Sequence, residues 1–154
     1  MTTSWRIVAK QHSEAAFSGE GASRYPGRWN ARGYRMVYTA QSAALASLEM
    51  LVHLDSETNM RPYVLFACTF SSDLVEHVES KKLPPGWKSY PPPAALSQLG
   101  CDWLEAARTP VLQVPSAVIE TESNYLLNPE HPHFPKITIA DPTPFSLDLR
   151  LLRR

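Results

Sequence analysis

Tyr63-Val64-Leu65-Phe66-Ala67-Cys68-Thr69-Phe70 is the stretch that decides the fold class. It is rich in aromatic and β-branched side chains, follows Arg61-Pro62 and precedes Ser71-Ser72, which is the composition and punctuation of a strand. Upstream, Trp5 to Lys10 has strand composition and Met36 to Thr39 makes a short strand. Ser42 to His53 reads as a helix with Ser42 or Thr39 as its N-cap. Downstream, Val75 to Val78 pairs with the Tyr63 strand or with a later one. Pro84, Pro85 and Pro91 to Pro93 mark turns and the start of a second helix, Ala94 to Arg108. That helix sets Leu96, Leu99, Trp103 and Leu104 near one face, has Gly100 as its weak point and ends at Thr109-Pro110. Val111 to Val114 is a strand, with Ala117 to Ile119 as its continuation or a neighbour. Lys136 to Ala140 and Phe145 to Leu149 alternate at period two and read as late antiparallel strands. The expectation is one α+β domain over residues 1–154, with mixed or antiparallel sheet and two main helices.

At 154 residues with 44% hydrophobic content, the chain can bury a substantial core. Fifteen basic and fifteen acidic side chains cancel, so no strong field draws nucleic acid. The basic tail, Arg150 to Arg154, reads as a solvated terminus. Cys68 and Cys101 lack zinc-finger spacing, and Cys68 sits in an apolar run as a core residue. Neither a signal peptide nor a membrane span is legible, which points to the cytoplasm.

Gln11 to Arg35 has little hydrophobic periodicity, and a stretch that long in a compact domain is functional or disordered. Its composition favours function. Gly19, Gly21, Gly27 and Gly33 crowd around Arg28, and Tyr25, Trp29, Tyr34 and Tyr38 share the window. Glycine lets backbone approach a ligand closely. Neither Gly-x-Gly-x-x-Gly nor a P-loop is present. Arg28 has two readings, a bidentate phosphate contact or a structural ion pair. Glu49 lies at the edge of a helical stripe formed by Leu45, Leu48 and Val52. There it is either a partly desolvated functional carboxylate or a boundary residue that reaches water or pairs with His53. Tyr38 is core or a stacking surface. Ser116 has no Gly-x-Ser-x-Gly elbow and does not read as a hydrolase nucleophile. His131 and His133 lack a third ligand at sensible spacing, and a turn suits them better than a metal.

Gly27-Arg-Trp-Asn30, Val37-Tyr38, Leu48-Glu49, Val114-Pro-Ser116 and Asn124-Tyr-Leu-Leu-Asn-Pro129 follow one another in that order, with His131-Pro132 after them. Together they resemble the RES domain, named for arginine, glutamate and serine, whose members are toxins of bacterial toxin–antitoxin pairs. The likeness spans nearly the whole chain. Two departures stand out: Glu120 where many members have proline, and Pro26 where a second glycine is common. The resemblance implies a fold similar to ADP-ribosyltransferases, with NAD as substrate and no resident cofactor or metal. By position it makes Arg28, Glu49 and Ser116 the naming triad, with Tyr38 as aromatic partner. Trp29, Asn30 and Asn124 join Arg28 and Tyr38 around NAD, the two asparagines in supporting positions. It further implies a helix-turn-helix (Xre-like) antitoxin as partner, and is compatible with self-association.

Breaking the nicotinamide–ribose bond builds positive charge on the ribose, and the leaving group departs neutral without protonation. One carboxylate then suffices where ordinary glycosidases use two. The expected roles are Glu49 on the ribose, Arg28 on the pyrophosphate, Tyr38 stacked on nicotinamide and Ser116 positioning ribose or Glu49. Water, phosphate or a protein side chain would accept the ADP-ribose. Depletion of NAD is the favoured outcome and modification of a protein target the alternative. A non-enzymatic nucleotide-binding module is a further alternative, but it leaves Glu49 without a task.

Overall fold

The computed structural model describes residues 1–54 and 61–152; residues 153 and 154 of the basic tail lie outside that range. Eight strands form one sheet: β1 (Thr2–Ala9), β2 (Val37–Ala40), β3 (Tyr63–Phe70), β4 (Val75–His77), β5 (Val111–Pro115), β6 (Ser123–Leu127), β7 (Thr138–Ile139) and β8 (Thr143–Phe145). The order is β4-β5-β6-β2-β1-β3-β7, and β8 also pairs with β3. All neighbours are antiparallel except β4 and β5. Of the two partners open to residues 75–78, the later strand is the one used. Parallel neighbours need a long crossover, and this one contains helix α3 (Ala94–Ala106). The other α-helices among the described residues are α1 (Glu20–Arg24) and α2 (Ala43–Leu51). The result is the expected α+β architecture, with a mixed sheet and two main helices.

The Tyr63 stretch is β3 over its full length, and every second residue from Val64 to Phe70 is buried. β5 and β6 instead feed a core on each face. Leu112, Val114 and Leu126 join Trp29, Met36, Leu96 and Trp103 on the side covered by α3. Val111, Tyr125 and Leu127 join Val37, Cys68 and Phe70 on the other. β6 carries no period-two signal because four of its five residues are buried.

Three expectations need correction. Ala117 to Ile119 is not strand: the Ser116 hydroxyl accepts the N–H groups of Val118 and Ile119, both at 3.1 Å, and curls the chain into a turn. Phe145 to Leu149 is not a strand either. β8 stops at Phe145, and a 3-10 turn over Leu149–Leu152 follows, where Asp148 accepts from the Arg150 backbone and guanidinium. The apolar stripe of α2 is Leu45 and Leu51, whereas Leu48 and Val52 are 37% and 60% exposed. α2 packs on β1 and β2, and Ala46, Glu49, Met50 and Val52 border open space beside them.

Ser42 caps α2 as expected, its Oγ accepting the Leu45 N–H at 3.0 Å. Gly100 is no weak point. A Cβ there would sit 1.7 Å from the Trp29 carbonyl oxygen, so the glycine lets α3 press directly on the loop carrying Arg28.

Candidate functional site

A cleft of about 860 Å³ opens between α2, the strands β1 and β2, the loop around Arg28 and the segment from Lys88 to Tyr90. Glu49, Arg28, Tyr38 and Asn124 all border it. Sequence positions separated by most of the chain therefore converge on one space.

Glu49 is placed by α2 and gripped from β5 and β6. Its Oε1 accepts the Ser116 hydroxyl proton at 2.9 Å, and its Oε2 accepts from Asn124 Nδ2 at 2.8 Å. Both oxygens are held by protein donors at the edge of the cleft, and Glu49 makes no ion pair with His53. Burial pushes its pKa above the ordinary 4.5, while the two donated hydrogen bonds and nearby Arg28 act against that rise. Each carboxylate oxygen still has acceptor capacity for a ligand hydroxyl. Asn124 is itself oriented by donating to the Thr39 carbonyl at 3.1 Å. Ser42 ties the α2 cap to the same region by donating to Glu122 Oε1 at 2.7 Å.

Ser116 is fully buried. Its oxygen donates to Glu49 and accepts the two N–H groups that make the following turn. That uses its proton and both lone pairs, so it orients Glu49 and has no capacity left for a ribose or for nucleophilic attack.

The Gly27-Arg-Trp-Asn30 loop is built around the Tyr38 hydroxyl. That hydroxyl donates to Asn30 Oδ1 at 2.6 Å and accepts the Trp29 N–H at 3.1 Å. Asn30 Oδ1 also takes the Gly27 N–H at 2.9 Å, and its Nδ2 donates to the Ala22 carbonyl. Burial lifts the Tyr38 pKa well above the usual tyrosine range, so the phenol stays a donor. A Cβ at Gly27 would lie 2.7 Å from the Tyr38 ring, which explains a glycine before Arg28. The Trp29 side chain belongs to the core, and Asn30 is 1% exposed. Trp29 borders the cleft with almost all of its surface covered, whereas Asn30 does not line it and holds the loop that presents Arg28. On the far side of this loop, the Ala31 N–H donates to the buried Cys101 sulfur on α3 at 3.3 Å.

Arg28 lies at the rim. Its Nη1 donates to the carbonyls of Trp87 and Ser89, both at 2.8 Å. Nε and Nη2 make no hydrogen bond to protein among the described residues. Partial burial lowers its pKa, and Tyr38 and Glu49 raise it.

Three cleft residues escaped sequence reasoning. Arg6 on β1 borders the cleft, donating from Nε to the Ala16 carbonyl at 2.8 Å and from Nη1 to the Tyr38 carbonyl at 2.9 Å. Burial brings its pKa down to about 10, so it remains a cation at neutral pH. An arginine inside an otherwise apolar strand was the available signal. Lys88 and Tyr90 line the opposite rim, and only the prolines around them were legible.

His131 sits in a turn, with its Nδ1 accepting the His133 N–H at 2.9 Å and its Nε2 2.8 Å from the Ala107 carbonyl. Both ring nitrogens are thus engaged in structure. Among the described residues, no cluster of three or more His, Cys, Asp or Glu side chains is placed to hold a metal ion.

The RES domain family matches residues 3–148. "Toxin Res" of Yersinia enterocolitica is 35% identical over 148 residues, covering 96% of this chain and 97% of that protein. The "Prs ADP-ribosylating toxin" of Sphingobium sp. is 35% identical over 160 residues, covering 100% and 99%. Among solved structures, the Mycobacterium tuberculosis MbcT–MbcA toxin–antitoxin complex contains a chain that superposes with a TM-score of 0.77 at 16% identity. The match covers 94% of this chain and 84% of that one, and shows a shared fold.

Proposed function

The chain belongs to the RES domain family, and from that premise we propose that it is the toxin of a toxin–antitoxin pair that cleaves the nicotinamide–ribose bond of NAD. The observation that carries this reading is the Glu49 carboxylate, held by Ser116 and Asn124 in a cleft that also contains Arg6 and Arg28. An anion oriented by two donors, with cations for a diphosphate in the same space, matches what the reaction demands.

The C1′–N bond breaks and its electron pair leaves with nicotinamide, which departs neutral. Glu49 accepts hydrogen bonds from the nicotinamide ribose and stabilises the charge growing on it. Such preorganised electrostatics are commonly the largest catalytic contribution. Arg28 offers Nε and Nη2 to the diphosphate, with Arg6 as the deeper cation. The Tyr38 ring borders the nicotinamide side while its hydroxyl stays in the loop. Water or phosphate then bonds C1′ and loses a proton, giving a glycohydrolase or phosphorylase. Ser116 is no acceptor, because its oxygen is saturated.

Transfer to a protein is the second reading, favoured by the Sphingobium relative, an ADP-ribosylating toxin by name that matches over nearly its whole length. A proteinaceous antitoxin fits the mouth of the cleft, where Tyr25, Val52, Tyr90 and Val118 are exposed apolar side chains. Surfaces of that kind mark protein contacts.

The test is release of free nicotinamide from NAD by the purified protein, with and without phosphate and with labelled NAD in cell extract. Stoichiometric release without label on protein supports depletion, and label on a protein band supports transfer. Binding of NAD with no nicotinamide release would overturn the enzymatic reading. Growth arrest on induction, relieved by the adjacent reading frame, checks the toxin assignment.

A further inference from the structure

Arg28 grips the two carbonyls on either side of Lys88, those of Trp87 and Ser89. The Trp87 side chain is buried in the core beside Trp29 and Leu96. A strap is therefore anchored by an indole on one side and a guanidinium on the other, and the residue it presents between those anchors is a lysine that borders the cleft. Lys88 Nζ lies 2.6 Å from Glu120 Oε2, and both side chains are about half exposed, at 49% and 54%. Glu120 stands on the turn that Ser116 organises, whose Ala117 and Val118 form the facing rim. The Lys88–Glu120 pair thus spans the mouth from one wall to the other.

We propose that Lys88 is a diphosphate-binding residue and that Glu120 competes with the substrate for it. This rests on the NAD-cleavage reading for its substrate and extends it to a residue and a gate which that reading does not need. An exposed ion pair is worth only ~0–1 kcal/mol, so it opens at little cost. A diphosphate carries more charge than a single carboxylate and accepts several charge-assisted hydrogen bonds. The exchange moves Lys88 from the far wall to the ligand while Arg28 keeps the strap backbone in place. Opening the pair leaves the Ser116 turn intact, because that turn is held by Ser116 Oγ and by the Ser116 N–H donating to the Glu122 carbonyl at 2.9 Å. Glu49 therefore keeps its geometry in either state.

The experiment titrates ADP and adenosine into wild type, Lys88→Gln and Glu120→Gln by calorimetry, alongside the KM and kcat of NAD turnover. Lys88→Gln should weaken ADP about fivefold or more, the loss of one charge-assisted contact, and leave adenosine unchanged. Glu120→Gln should tighten ADP about two- to threefold by removing the competitor. KM should follow ADP affinity in both variants, with kcat nearly constant. A purely structural tie across the mouth would make both substitutions shift ADP and adenosine in the same direction. That result, or ADP affinity unaltered by Lys88→Gln, overturns the proposal. Failure of the wild type to release nicotinamide would overturn the enzymatic reading alone, since ADP binding reads the lysine directly. Equal melting temperatures for the variants exclude a folding defect as the cause.

Discussion

Glu49 and Arg28 face the same cleft, but the protein holds them in different ways. Glu49 sits on a long-range network in which both carboxylate oxygens are engaged, and each partner is itself fixed: Ser116 by its turn, Asn124 by the Thr39 carbonyl. Arg28 is at the rim, on a loop whose shape comes from Tyr38 and Asn30, with one of its three guanidinium nitrogens spent on a strap. The first arrangement suits a group whose position must not change while charge develops. The second suits a contact that forms as a substrate arrives. On the proposed reading, rigidity is concentrated where the bond would break, and adjustable contacts where the anion would dock.

The largest test of that contrast is Glu49→Gln, which keeps shape and removes charge. It should lower kcat for nicotinamide release by roughly 10²–10³-fold, with NAD binding largely retained; wild-type turnover would break the assignment. Next is Gly100→Ala. The added methyl has no room against the Trp29 carbonyl, and overpacking of this kind costs about 1–3 kcal/mol or more. Denaturant unfolding should show that loss, and an unchanged midpoint would mean the loop is not wedged on α3. Ser116→Ala deletes the Glu49 donor and strands two N–H groups, so stability should fall by about 1–3 kcal/mol and kcat should fall with it. Arg28→Ala should instead raise KM by about tenfold with a smaller change in kcat, the loss of a charge-assisted contact; an unaltered KM would remove its phosphate role.

The smallest effect is in pH. Burial holds the Glu49 pKa above 4.5, so the folded protein binds that proton more tightly than the unfolded chain. Its contribution to stability is then greatest below the ordinary glutamate pKa and declines as pH rises through the raised one. The melting temperature of wild type relative to Glu49→Gln should accordingly drop from acid to neutral pH. The acid limb of kcat/KM should lie above 4.5, because activity needs the carboxylate. A difference in melting temperature that does not vary with pH would show that Glu49 feels no net burial.

Elements with one wet face were legible. β3 alternates, and its eight residues were found to the end. The cap of α2 was legible because Ser42 acts on its own neighbours. β6 was seen only as a motif, since buried faces on both sides erase the alternation. Ala117 to Ile119 misled because a side-chain hydroxyl, not hydrophobic pattern, decides its shape. Leu48 and Val52 misled because both are exposed rather than packed in the core, Val52 at the border of the cleft. At the site, motif order identified Glu49, Ser116 and Asn124, which the structure joins directly. It placed Asn30 in a supporting position, and the structure shows that side chain building the loop around Tyr38; it missed Arg6, whose side chain is turned inward from a strand. Which side of a strand or loop a polar residue serves depends on partners far along the chain.

The sulfur of Cys101 lies beneath the loop that carries Arg28, accepting its Ala31 amide. An alkylating reagent reaches that thiol only after the loop has lifted from α3, so its labelling rate becomes a built-in clock for breathing of the cleft wall. Cys68, sealed in the core across the sheet, reacts only on wholesale unfolding and serves as the reference hand.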